Sequence, residues 1–219
     1  MAISADIKLD IYNGALLRLA ARKLASVSEN RESRRVLDQY WGAQAKLVSY
    51  ALERGDWNFA LRSRELEPET AVEPQFGWTY AYEKPLDFRR LSSLSGDERF
   101  QSPLTYNGYA DEGGYWLSDA SPLYVRYVSD DTDFGFNSGV WTEGFIDYLE
   151  VRLAWLSCNR ITNDTNLKMQ LDGDMKKALQ NAKSVDAMDE GVKFLPRGQW
   201  ARSRSSRMGY NKDRSNSLP

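Results

Sequence analysis

The sequence predicts an α+β fold. It reads as an antiparallel bundle of about four helices, with a small antiparallel β-sheet region inserted between the second and third and an extended C-terminal arm. Three observations predict it. Apolar residues recur at helical spacing before residue 55 and again after residue 139. The stretch between alternates short β-prone segments with Pro and Gly turn signals. Past Leu195-Pro196 the apolar pattern stops and the chain becomes Arg/Ser-rich. Helix pairs on either side of a sheet close most simply on each other. The bundle is therefore assigned to 1–57 and 139–195, the β-rich insertion to 58–138 and the arm to 196–219.

In the first helix, residues 6–25, Ile7, Ile11, Ala15, Leu16, Leu19 and Leu24 share a face, while Leu17, Ala20 and Ala21 widen the stripe. A helix apolar on most sides is covered on two faces, which makes Leu16, Leu17, Leu19 and Ala20 candidates for packing against a neighbouring subunit as well as within the bundle. Gly14 inside it points to a close backbone approach. Ser28 with Glu29 behind it is read as the N-cap of a second helix, about 30–54, with Val36, Tyr40, Ala43, Leu47 and Ala51 on one side. Gly55 stands at the C′ position, where glycine lets a chain reverse.

Strand candidates follow in FALRSREL, FGWTYAYEK, RRLSSL, YWLS and PLYVRYVS. YWLSDASPLYVRYV reads as two strands around a turn near Asp119 to Pro122. A third helix is expected through VWTEGFIDYLEVRLAWLSCNRI, with Trp141, Phe145, Leu149, Leu153 and Leu156 on one side. A fourth, about 164–189, turns Leu167, Leu171, Met175, Ala178, Ala182 and Val185 inward.

Composition narrows the chemistry. The chain has 219 residues, 42% hydrophobic and 27% charged, which suits a folded domain with a real core. There is no histidine and a single cysteine, Cys158. An internal disulfide, a Cys/His zinc site and any His-dependent triad are thereby excluded. No apolar run approaches the roughly 20 residues that span a bilayer, and the N-terminus lacks the pattern of a secretory signal. No membrane association is expected, and the protein is expected to be made in a cytoplasm.

The loop SDDTDFGFNSG resembles a calcium loop only superficially: counted from Asp131, position 5 is already Gly135 and Glu143 falls at position 13. It reads instead as a polar loop capping the next helix through Ser138. Carboxylate pairs such as Glu53/Asp56 or Glu98 and Glu112 read as solvated surface acids, and neither nucleotide-binding glycine pattern occurs. No cofactor, metal or catalytic residue is assigned. The aromatic strands read as core or protein interface in preference to base-stacking platforms. The arm carries six basic residues (Arg197, Arg202, Arg204, Arg207, Lys212, Arg214) against one acid, Asp213, although the formal net charge of the chain is −2. Such an arm meets either phosphates or an acidic protein groove.

NGALLRLAARKLASVSEN resembles the opening of phage tail tubular protein A, the head-to-tail adaptor family of short-tailed phages. Asn13, Ala15, Leu16, Leu19, Val27 and Ser28 occupy matching places, and Ala20 stands where the family normally has glycine. Trp57, Asn58, Phe59 and Ala60 are similar to the Trp-Asn-Phe-Ala segment that follows the family's second helix. Pro122-Leu123-Tyr124-Val125-Arg126-Tyr127 and VRLAWLSCNRIT resemble its later strand and third helix. The resemblance covers about residues 10–190. It implies a non-enzymatic virion protein at the head–tail junction, in a ring typically of twelve subunits between portal and tail nozzle, around the channel through which genomic DNA passes. It implies a C-terminal segment that reaches the portal. The arm, with Arg197, Trp200, Arg202, Arg204 and Arg207 as anchors, is expected to order on the portal, and the β-rich insertion to face the nozzle. Gly55, Trp57, Asn58 and Phe59 are expected to form a joint between bundle and sheet, with Asp56 and Asn58 tying turn amides. The alternative function is nucleic-acid binding through the Arg/Ser-rich tail.

Overall fold

The structure, a computed structural model, describes residues 3–74, 76–105 and 107–189. The described residues form five α-helices and two three-stranded antiparallel sheets. The predicted arm, 196–219, lies outside them.

Helix α1 spans Ala5–Arg18. Ser4 caps it by accepting the Ile7 amide, and Asp6 and Arg18 sit at the ends that the helix dipole favours. It ends well before the expected residue 25. Ala20 takes a left-handed φ of 52°, and the chain folds back so that Leu24 enters the core from a loop. Asn13 holds that loop by both ends of its amide: Nδ2 donates to the Leu24 carbonyl at 3.1 Å and Oδ1 accepts the Leu24 N–H at 2.8 Å.

The single helix expected over 30–54 is two: α2, Glu32–Trp41, and α3, Lys46–Leu52. Gly42, at φ 77° and ψ 164°, ends the first, and Gln44 and Ala45 both adopt left-handed φ before the second begins. The break lets each short helix lean on α4 separately. Ser28 does not cap α2. That position is held by Arg31 with no side-chain hydrogen bond, and the Ser28 hydroxyl bonds to Ser26 instead.

Helix α4, Glu143–Ile161, is the axis of the helical body and touches all four other helices. Thr142, not Ser138, caps it by accepting the Phe145 amide; the Ser138 hydroxyl accepts the Ser4 amide instead. Trp141, Phe145, Leu149 and Leu153 are buried as expected. Helix α5, Thr165–Met188, is capped by Asp164 and packs on α4, where a Cβ on Gly144 would stand 3.1 Å from the Ala182 Cα. Leu171, Ala178 and Ala182 turn inward, but Val185 is half-exposed and Asp186 is buried in its place.

The strands are β1 (Leu61–Leu66), β2 (Tyr80–Glu83), β3 (Phe88–Ser95), β4 (Tyr109–Glu112), β5 (Tyr115–Ser118) and β6 (Leu123–Ser129). One sheet has the order β1-β6-β3 and the other β2-β5-β4. The two strands read in YWLSDASPLYVRYV therefore exist but do not pair: β5 and β6 belong to different sheets. The hairpin is β4–β5, closed by Gly113-Gly114, and β4 (YADE) was too polar to register as a strand.

Strand β6 serves two cores through its pleat. Leu123, Val125 and Tyr127 face the second sheet and cluster with Tyr82, Leu94 and Trp116. Val128, on the opposite side, joins the helical core with Trp57, Phe145 and Leu149.

Candidate functional site

Four residues were expected to join bundle and sheet, and the structure brings them together. The Trp57 indole N–H donates to the Ala51 carbonyl at 3.0 Å, satisfying an acceptor in the last turn of α3. Its ring meets Phe145 edge-on at 4.9 Å and stacks on Phe59 at 6.1 Å. Gly55 is needed for this wedge and not for a backbone reversal. It has no left-handed φ, but a Cβ there would press against the Trp57 ring at 3.0 Å.

The polar neighbours reach further than turn amides. Asn58 Nδ2 donates to the Asp186 carbonyl at 2.6 Å, and the Asn58 backbone N–H donates to the Asp186 carboxylate at 3.1 Å. Asp56 pairs with Arg90 of β3 at 2.9 Å. One corner thus ties α3, α4, α5 and β3.

The subunit-packing set divides. Leu16 and Leu19 are 0% and 2% exposed and belong to the chain's own core, which leaves them no surface for a neighbour. Leu17 is 66% exposed and Ala20 is exposed at its left-handed turn. The close approach at Gly14 is intramolecular: a Cβ there would overlap the Glu150 carboxylate of α4. Arg197, Trp200, Arg202, Arg204 and Arg207 lie outside the described residues.

Two polar clusters were not anticipated. In the first sheet, Asp87 accepts from Ser129, from Arg62 at 2.8 Å and from Tyr127 at 3.1 Å. Burial pushes the Asp87 carboxyl up, but these donors outweigh it and leave it below the usual carboxylate range. Burial beside that carboxylate also raises the Tyr127 phenol to about 12. Arg62 reaches on to Asp131 at 2.9 Å, and Arg89 pairs with Asp130, so two of the three acids of the calcium-like loop are engaged in ion pairs. Between α1 and α2, Asp38 accepts from the Tyr12 hydroxyl at 2.7 Å, from Lys8 at 3.2 Å and from Arg34. Burial raises the Asp38 carboxyl, and these bonds bring it below its ordinary value. Apart from Arg34, four positions from Asp38, these partners stand 25 to 69 positions apart and leave no local signal in a sequence.

The two flanks of α4 carry opposite charge. On the α1 side, Arg18 bonds to both Asp147 and Glu150. Burial, with Asp147 and Asp10 adding to it, holds the Glu150 carboxyl above its ordinary value despite Arg18. On the α3 side, the guanidinium groups of Arg152 and Arg54 lie over the Tyr50 ring at 3.6 and 4.3 Å. Neither forms an ion pair with a carboxylate among the described residues. Burial and the nearby Arg54 depress Arg152.

Among the described residues no three acids or cysteines converge as a metal site, and no helix is long and apolar enough to cross a membrane. Tyr82, Trp116 and Tyr127, which stacked bases would need exposed, are buried between the sheets. A groove of about 550 Å³ beside α3 is lined by Lys46, Tyr50, Glu53, Arg89, Asp130 and Phe136, and its Arg89 and Asp130 satisfy each other. Compared with known proteins, the chain matches no family model and no curated protein.

Proposed function

We propose that this chain is a head-to-tail adaptor of a short-tailed phage, a structural subunit of a ring that joins portal to tail nozzle around the DNA channel. The observation that carries the reading is the position of the residues through which the sequence resembles tail tubular protein A. Several of them sit at the chain's mechanical joints. Asn13 clamps the loop after α1, Ala20 holds a left-handed φ at the place where the family has glycine, and Trp57 with Asn58 locks α3 to α4 and α5. Residues matched for such roles are those a shared architecture requires, whatever the surface does.

In this reading the helical body contributes to the ring, the two sheets face the nozzle, and the 196–219 arm orders on the portal through Arg197, Trp200, Arg202, Arg204 and Arg207. An acidic body suits a channel in which DNA slides, since basic walls would hold phosphates. Electron microscopy of this protein mixed with its own portal and nozzle proteins tests the proposal. An added ring between the two is the expected image, and portal–nozzle particles without one would sink it. Removal of residues 196–219 is expected to abolish portal attachment while the helical circular dichroism stays unchanged. DNA affinity that falls steeply with salt and disappears with the arm would favour the nucleic-acid reading instead.

A further inference from the structure

We propose that the guanidinium pair Arg54/Arg152 on one flank of α4 receives the Asp10 and Asp147 carboxylates from the opposite flank of a second copy, giving a head-to-tail contact between subunits. The proposal rests on the assembly reading above and names its interface.

The geometry comes from one helix. Glu150 and Arg152 are two positions apart on α4, about 200° around its axis at roughly 100° per residue. Their contacts agree: Glu150 lies against Gly14 and Arg18 of α1, while Arg152 lies against Tyr50 of α3 and the Met175 sulfur of α5. The acidic and basic flanks therefore point in nearly opposite directions from the centre of the helical body.

Each flank is left with charge that no partner among the described residues neutralises. Among the described residues Arg18 is the one cation bonded to Asp147 and Glu150, with Asp10 close enough to act on the same site. Across the helix, two arginines share a tyrosine ring, and the Arg152 Nε is buried with no hydrogen-bond partner among the described residues. Like charges held together this way cost energy that an opposing cluster recovers; one Nη of Arg54 bonds the Tyr50 hydroxyl and one of Arg152 the Met175 sulfur, and the remaining N–H groups of the exposed Arg54 can donate to a planar carboxylate. Asp10 and Arg54 are exposed, and half of the Asp147 side chain is.

Two complementary patches on opposite faces make a heterologous contact, which repeats from copy to copy and closes as a ring when the rotation permits. A self-complementary two-fold dimer would need both charges on one face. A second copy is therefore the occupant that accounts for both patches at once, where an acidic peptide or a phosphate would answer only one.

The test uses the full chain in two neutralised forms, Arg54→Ala and the double variant Asp10→Asn/Asp147→Asn, each checked for unchanged helical circular dichroism. Sedimentation velocity of the wild-type protein should show self-association that weakens as salt rises. Each variant alone should associate about tenfold or more weakly. Mixing the variants restores one intact contact, the Arg54→Ala acidic flank on the other variant's basic flank. Heterodimers should form and grow no further.

The contact is overturned by a wild-type protein that stays monomeric at millimolar concentration or associates independently of salt. It is equally overturned if either variant assembles like the wild type, or if the mixture yields no heterodimer. None of these results bears on portal attachment, so the adaptor reading stands or falls on its own particle images.

Discussion

In the helical body, α4 is surrounded by α1, α2, α3 and α5, and one continuous cluster runs from Ile11 to Ala182 through Trp57 and Phe145. Between the sheets, the buried cluster is six residues, Tyr82, Leu94, Trp116, Leu123, Val125 and Tyr127, and beside it lies the Asp87 carboxylate with its three donors. Around α4 the helices are held chiefly by apolar area, which is insensitive to pH and spread over many contacts, while the Asp38 network ties only α1 to α2. The sheets have less area to bury and depend on one charged network whose donors come from β1 and β6. The two regions should therefore fail differently.

The largest effect is expected where the helical cluster is densest. Trp57→Ala removes a fully buried indole, its contacts with Phe59 and Phe145, and the hydrogen bond to Ala51. The expected loss is about 4 kcal/mol of unfolding free energy by urea titration, with the helical signal and the tryptophan fluorescence lost together. A loss under about 1 kcal/mol would mean that the joint is not part of the core.

In the sheet region, Asp87→Asn is expected to cost about 2 kcal/mol, because Arg62, Tyr127 and Ser129 all lose an ionised acceptor. The native carboxyl is lowered relative to the unfolded chain, so its contribution is complete above the unfolded value of about 3.9. That contribution disappears as pH falls through the lower folded value. Hydrogen exchange at decreasing pH should show β3 and β6 amides losing protection before those of α4, and the Asp87→Asn protein should lack this separate acid step. Simultaneous loss in both regions would contradict the division.

The same division separates what the sequence discloses from what it hides. Helices α4 and α5 were legible because Phe145, Leu149 and Leu153, and Leu171, Ala178 and Ala182, repeat at helical spacing, although the α4 cap is Thr142 and not the expected Ser138. The break between α2 and α3 was hidden, since Val36, Tyr40, Leu47 and Ala51 keep the helical period across Gly42 and the bend is fixed by packing on α4. In the sheets, strand positions could be read from alternation, but pairing could not. Assigning β5 and β6 to different sheets depends on Trp116 meeting Phe88 across the interior, a contact between residues far apart in the chain. Of the candidate site, Trp57 and Asn58 were visible as a marker while Asp186, the partner 128 positions away, was not.

Asn58 offers a smaller test of the joint. Asn58→Ala keeps the backbone N–H to Asp186 but removes the side-chain bond to its carbonyl, for an expected loss of about 1 kcal/mol. The effect should be confined to the end of α5. Exchange at residues 182–188 should speed up while the sheets remain unaffected, and faster exchange in β6 would show that the two regions are coupled through this corner.

The smallest change is expected to stabilise. Ala20 holds a φ of 52°, where a Cβ crowds its own backbone, and the side chain itself is exposed and packs on nothing that would be lost. Ala20→Gly removes that crowding but widens the unfolded ensemble, and for a left-handed residue the first effect is the larger. The expected gain is about 0.5 kcal/mol in urea unfolding, with helical content unchanged. Because the turn at Ala20 directs Leu24 into the helical core and touches neither sheet, acid sensitivity of the sheet amides should stay as in the wild-type protein. A destabilised glycine variant would mean that α1 continues through residue 20 in solution, and that the Asn13 clamp on Leu24 does not set where the helix ends.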